Sequence, residues 1–229
     1  MADTALWPGE TDDFRACRFQ GPAAWWSSLV HISAPGKHHV EQAFLISTGA
    51  VALAEIGDKT QLLSLVLAAR YRKPVPIMLG VLAATLANHA CAGAIGAWLG
   101  ALITPDIMRW ALGVSFVVMG IWVLVPDKLD PNEANVGRSH WGVFGTTLAT
   151  FFLAEMGDKT QLATIALAAR FHDYLGVVAG TTLGMMLANV PAILLGERFA
   201  HKLPTKAVHA VAAVLFIVLG ALAFARGGV

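Results

Sequence analysis

Charge is what this chain has least of. Only 14% of its 229 residues are Asp, Glu, Lys or Arg, against about 25% in a soluble domain. The deficit excludes an ordinary water-facing surface and points to a bilayer as solvent. Net charge is also small, +1 at pH 7, which excludes the basic footprint of a nucleic-acid partner. Cysteine is nearly missing: Cys17 and Cys91 lie far apart, so there is neither a disulfide framework nor a zinc motif. Cys91 falls in an apolar run and reads as a small packing residue.

What is present is apolar and long. Hydrophobic residues make up 56% of the chain. Residues 1–40 are the exception, kept polar by Asp3, Glu10, Asp12, Asp13, Arg15 and Arg18. They lack a basic stretch leading into an apolar core, so no cleavable signal peptide is expected. Trp25 and Trp26 suit the headgroup level, and His31, His38 and His39 read as solvated tail histidines. Six apolar segments follow. The first runs from about Val40 to Ala69. The stretches Pro74–Pro105, Trp110–Pro126, Tyr174–Gly196 and Ala207–Ala225 hold no Asp, Glu, Lys or Arg. The remaining segment is His140–Ala169. Each is long enough to cross a hydrocarbon core, which takes about 20 residues.

Two of the six segments carry charge, and they carry the same charge. Ala54-Glu55-Ile56-Gly57-Asp58-Lys59-Thr60-Gln61 returns as Ala154-Glu155-Met156-Gly157-Asp158-Lys159-Thr160-Gln161, with only Ile56 and Met156 differing. The likeness extends further: Leu67-Ala68-Ala69-Arg70 with Leu167-Ala168-Ala169-Arg170, Gly80 with Gly180, Asn88 with Asn189, and Phe116 with Phe216. The expected fold is therefore an all-α integral membrane protein of six transmembrane helices, built as two three-helix repeats at 41–126 and 140–229. A polar linker at 127–139 joins them, and residues 1–40 form a tail or interfacial segment. A three-span unit ends on the side opposite its start, so the second copy must be inverted. Inverted repeats place their sites near the midplane, where the halves meet.

A charge at the bilayer centre costs about 2.5–3.5 kcal/mol on insertion scales, so four carboxylates need a reason to be there. If the motif is helical, Glu55 shares a face with Asp58 and with Lys59. Gly57 lets a neighbour approach or lets the backbone open. A structural alternative is a pair of internal Glu–Lys ion pairs fixing helix packing. Duplication favours a shared site instead, with Glu55, Asp58, Glu155 and Asp158 as cation ligands. Thr60, Gln61, Thr160 and Gln161 would line it, Asn88 and Asn189 would either line it or bridge helices, and Lys59 and Lys159 would balance charge. Four carboxylates and two lysines sum to −2, which matches one divalent cation or two protons. These are hard oxygen ligands, suited to Ca²⁺, Mg²⁺ and Mn²⁺. Met156 offers a soft thioether beside the second copy, although packing on another face is the simpler role. His89 has Val190 as its counterpart and reads as a packed histidine or a proton relay.

The doubled Glu-x-Gly-Asp-Lys-Thr on six spans resembles the calcium/manganese cation–proton exchanger family, over roughly residues 41–226. The resemblance implies Mn²⁺ or Ca²⁺ moved out of the cytoplasm by proton antiport, with the motif acids as ligands. It implies no cofactor, since the metal ion is cargo, and no enzyme activity. The short linker and the lack of a transit peptide make the chain similar to bacterial inner-membrane members, for which manganese export is expected. The partners are a divalent ion, protons and the lipid bilayer, with no nucleic acid. Two other readings use the same acids: a cation channel, or an intramembrane aspartyl-type enzyme.

Loop charges set an expected orientation. Arg70, Arg72, Lys73, Lys128, Arg138, Arg198, Lys202 and Lys206 follow the odd-numbered spans. Lys37, Arg109, Arg170 and Arg226 lie at the other ends. The richer set belongs in the cytoplasm, which places both termini outside it.

Overall fold

The computed structural model describes residues 37–125, 142–195 and 204–225, with side chains from Val40 onward. Trp25, Trp26, His31, the side chains of His38 and His39, and the 127–139 linker lie outside the described residues. Within them there are eight helices and no strand. They are α1 (Lys37–Glu55), α2 (Lys59–Tyr71), α3 (Pro74–Leu102), α4 (Pro105–Val123), α5 (Gly142–Glu155), α6 (Lys159–Phe171), α7 (Tyr174–Leu195) and α8 (Thr205–Ala225).

The helices are inside out relative to a soluble bundle. Leu45, Leu79, Trp98, Trp110, Leu153, Leu175 and Val214 are exposed. Ser47, Thr85, Asn88, His89, Thr147, Thr164 and Asn189 are buried. Apolar faces turned outward are stable only against lipid, and the chain is a multi-pass membrane protein. Cys91 is on the exposed face, so it does not fill the core as its sequence context suggests.

Four helices (α3, α4, α7 and α8) are long and apolar enough to cross a membrane, and the α1–α2 pair passes jointly as a fifth. The first charged segment is not one helix. It bends by 69° between α1 and α2. The second charged segment is likewise divided, into α5 and α6, and α5 has only 14 residues.

The cause of both breaks is local. Glu55 accepts a turn bond from the Asp58 amide at 3.0 Å, and Glu155 from Asp158 at 3.2 Å. The third residue of such a turn needs positive φ, which glycine adopts without strain. Gly57 has φ +86° and Gly157 has φ +76°. Asp58 and Asp158 then stand at the N-caps of α2 and α6 in extended conformation. The downstream helices end alike. Arg72 and His172 adopt left-handed conformations and close on the carbonyls of Ala68 and Ala168.

Packing crosses between the two copies. α1 lies on α7, and α5 lies on α3; α2 meets α7, and α6 meets α3. The matched glycines sit at these crossings. A Cβ on Gly80 of α3 would lie 2.8 Å from Thr147 of α5, and one on Gly180 of α7 would lie 2.5 Å from the Phe44 carbonyl of α1. Backbones approach this closely only where a side chain is absent. α4 and α8 run together through stacked Phe116 and Phe216 and an edge contact of Trp110 with Phe224.

Candidate cation site

The two breaks bring the acids together. Glu55 is the last residue of α1 and Glu155 the last of α5, so both stand at helix C-termini. Unpaired carbonyls there give a partial negative charge that favours a cation. Both carboxyls are fully buried, and Asp158 is nearly so. Carboxylate oxygens of Glu55, Glu155 and Asp158 all lie within 4.8 Å of one another. Each glutamate has one oxygen held by a threonine: Thr60 Oγ1 donates to Glu55 Oε2 at 2.5 Å, and Thr160 Oγ1 to Glu155 Oε2 at 3.2 Å. Thr160 Oγ1 also lies 3.3 Å from Asp158 Oδ2. The second oxygens, Glu55 Oε1 and Glu155 Oε1, are buried and make no hydrogen bond. Buried polar atoms are normally satisfied, so two orphaned carboxylate oxygens in one cluster are apt ligands for a cation or protons.

The fourth acid is arranged differently. Asp58 Oδ1 lies 3.6 Å from Lys159 Nζ, with both side chains buried. Lys159 Nζ also donates to the Val125 carbonyl at the end of α4, at 3.1 Å. This ion pair joins the two copies, whereas the sequence allowed a Glu–Lys pair inside each copy. The helix break removes the spacing on which that expectation rested. Lys59, at the matched position, is only half-buried.

The amides expected to line the site serve the scaffold. Gln61 Oε1 accepts from the Gly57 amide at 2.8 Å, and Gln61 Nε2 donates to the Ala188 carbonyl at 3.0 Å. Gln161 Oε1 accepts from Gly157 at 2.7 Å. Each glutamine reaches back from the third position of its helix to the glycine that breaks the span, a variant of the capping box. Asn88 donates to the Phe152 carbonyl of α5 at 3.0 Å. Asn189 accepts from Ser64 of α2 at 2.7 Å and donates to the Met185 carbonyl at 3.1 Å. Both asparagines bridge helices from different copies. Met156 is 57% exposed, so its sulfur points away from the cluster. His89 is buried, and neither ring nitrogen finds a partner.

One residue at the site went unread in the sequence. His209 of α8 is buried, and its Nε2 donates to the Ile56 carbonyl at 2.7 Å. The signal was a lone histidine inside an otherwise apolar, uncharged span.

The family model described as "Divalent cation/proton antiporter GDT1" matches residues 43–131 and 143–228. A Vibrio cholerae protein named "Putative manganese exporter" is 52% identical over 182 residues, covering 79% of this chain and 90% of its own length. A GDT1-like protein of Synechocystis is 28% identical over 193 residues, covering 76% of this chain and 92% of its own. GDT1-like protein 3 of rice is 26% identical over 199 residues, covering 76% and 71%. No solved structure matches the chain.

Proposed function

This chain belongs to the divalent cation/proton antiporter GDT1 family, and from that premise we propose that it exports Mn²⁺ from the cytoplasm in exchange for protons. The observation that carries the reading is the convergence of Glu55, Glu155 and Asp158, buried and within 4.8 Å, from two different copies of one motif. A site built from both halves sits where inverted-repeat transporters bind their cargo, at interrupted helices facing each other. The family and relatives point to a transporter rather than an enzyme. Manganese comes from the name of the Vibrio relative.

In this reading α1 with α2 forms one span and α5 with α6 another. With α3, α4, α7 and α8 they make six spans in two inverted units. The exchanged packing partners and the matched Gly80 and Gly180 crossings support that arrangement. The units are 41–126 and 140–229, and the family model likewise matches in two segments, 43–131 and 143–228. Both termini face away from the cytoplasm, in a bacterial inner membrane. Glu55, Glu155 and Asp158 are the ligands. Thr60 and Thr160 orient the glutamates, and Lys159 holds Asp58 as a charge-balancing pair. Lys59 supplies the remaining positive charge. The net −2 is met either by one divalent ion or by two protons, and alternation between the two loads couples the flows. The all-oxygen ligand set suits Mn²⁺ or Ca²⁺, and with Met156 pointing away no thioether favours one of them.

The test is flux in proteoliposomes loaded with Mn²⁺ or Ca²⁺, with and without a pH gradient, with a lumenal pH dye as second readout. Coupled exchange is expected, lost in Glu155→Gln. Metal flux with no proton movement would make the protein a channel. Full activity in Glu155→Gln would remove the site assignment.

A further inference from the structure

The two motif copies are nearly identical in sequence, yet their surroundings differ. At the first break, a Cβ on Gly57 would lie 2.8 Å from Thr205 Cγ2 of α8, and His209 bonds the neighbouring Ile56 carbonyl. At the second break, a Cβ on Gly157 would meet nothing within 4 Å, and Met156 is exposed. The same contrast extends along the helices. Leu53 of α1 packs on the core cluster that includes Met108, Leu112 and Phe216, while its match Leu153 of α5 is 68% exposed. Ala169 of α6 is buried in that cluster, while its match Ala69 of α2 is exposed.

One cause accounts for all four differences. α4 and α8 pack on each other, near their matched residues Phe116 and Phe216. This pair rests on one side of the remaining helices: α8 lies on α1 and α4 lies on α6. Among the described residues, the matched pairings of α4 with α5 and of α8 with α2 are marginal at most. The uncovered face of α2 belongs to a stretch that shares eight of thirteen residues with α6, and that of α5 to one that shares four of fourteen with α1, the exposed Phe144 and Leu153 among them. What suits the uncovered faces to the same partner is that they are apolar like the covered ones.

We propose that the α4–α8 pair is the moving gate of this transporter, and that the faces of α5 and α2 are its second seat. This rests on the inverted-repeat antiporter reading above and adds to it which element moves and where it goes. In the described state α8 covers Gly57 at the first break, while at the second Gly157 and Met156 stay uncovered and the contact is the bond from Lys159 to the Val125 carbonyl just beyond α4. In the other state the repeats exchange roles: α4 lies along α5, α8 along α2, and His209 releases Ile56. The helices of the second seat are the repeats of those of the first, so the protein has two alternative packings, and a ligand that binds one better shifts the population toward it. Binding of the cation at the breaks then selects the seat.

The experiment places single cysteines at Ala69 and Ala169 in full-length protein with Cys17 and Cys91 replaced by serine. Proteoliposomes are labelled with a small maleimide at one pH, with no divalent ion, with Mn²⁺ or with Ca²⁺. In one condition Ala69→Cys should react faster than Ala169→Cys by about tenfold or more, because the buried site reacts only through the minor state. In the opposite condition the ratio should invert. Leu53→Cys and Leu153→Cys form an independent pair that should change in the same sense. A ratio fixed across all conditions while transport proceeds would overturn the gate. So would protection of Ala69→Cys that grows with protein density and brings no gain at Ala169→Cys, since a second copy would then be covering that face. If Ca²⁺ inverts the ratio while Mn²⁺ neither inverts it nor is carried, the cargo assignment fails and the gate stands.

Discussion

Glu155→Gln separates a cargo site from a structural cluster. The substitution keeps the shape of the side chain and an oxygen for Thr160 to bond, and removes one charge. The three carboxylates are within 4.8 Å. At that separation and an effective dielectric of 20, each ionised pair repels by about 3.5 kcal/mol. With all three ionised, the substitution removes two such pairs, about 7 kcal/mol of repulsion in the empty protein. If relaxation leaves even 2 kcal/mol of this relief, the unfolding midpoint rises by roughly 4–8 °C for a chain of this size. The cation loses a charged ligand at the same time. Wild-type protein in Mn²⁺ at a hundred times its dissociation constant gains about 2.7 kcal/mol, or roughly 5–11 °C, and the variant should lose this gain. The assay is thermal unfolding of detergent-solubilised protein at high pH, with Mn²⁺ titrated and an equal concentration of Na⁺ salt as the control. A variant that melts lower than wild type when empty and still responds fully to Mn²⁺ would refute the reasoning.

Two further outcomes follow from the differences between the copies. Lys159→Gln leaves Asp58 buried without its cation and should cost about 3–5 kcal/mol, with much of the loss recovered in Asp58→Asn/Lys159→Gln. Lys59→Gln should cost distinctly less, and equal melting shifts for the two lysines would count against the crossed ion pair. Gly57→Ala and Gly157→Ala both place a side chain at positive φ, at about 1–2 kcal/mol each. Only Gly57→Ala also collides with Thr205, so it should lose more stability, and adding Thr205→Ala should close the gap between the two variants.

The helical class, the apolar spans and the doubled acid motif could be read directly, because composition and repetition survive without coordinates. The three-span count led to one shared site of four acids; the structure brings Glu55, Glu155 and Asp158 within 4.8 Å of one another and sets Asp58 against Lys159. The opening of the backbone at Gly57 was read as one of two options, and the turn from Glu55 to Asp58 is the one adopted. What could not be read is the inequality of the copies. Asp58 pairs with Lys159, and Asp158 joins the glutamates, although both sit in the same eight-residue word. The two words meet different partners: Lys159 reaches the Val125 carbonyl and the Ile56 carbonyl meets His209, 34 and 153 residues away along the chain. The glutamines were read as ligands because an amide oxygen in a polar motif has no visible prior engagement. The backbone that engages it appears only once the span is broken. Met156 points away from the acids, as its place one residue from Glu155 suggested, although it is exposed rather than packed.

The amide of Gln61 holds a glycine of its own half and a carbonyl of the other. That arrangement has a consequence for how the protein is made. Synthesis proceeds at about 5–20 residues per second, so α7 leaves the ribosome on the order of 10 s after α2. During that interval Gln61 lacks Ala188, Ser64 lacks Asn189, and Glu55 lacks the two acids that will stand beside it. The first half is therefore inserted as an unfinished object. It waits for its second half in the way a subunit waits for its partner, and the two halves assemble rather than fold in sequence.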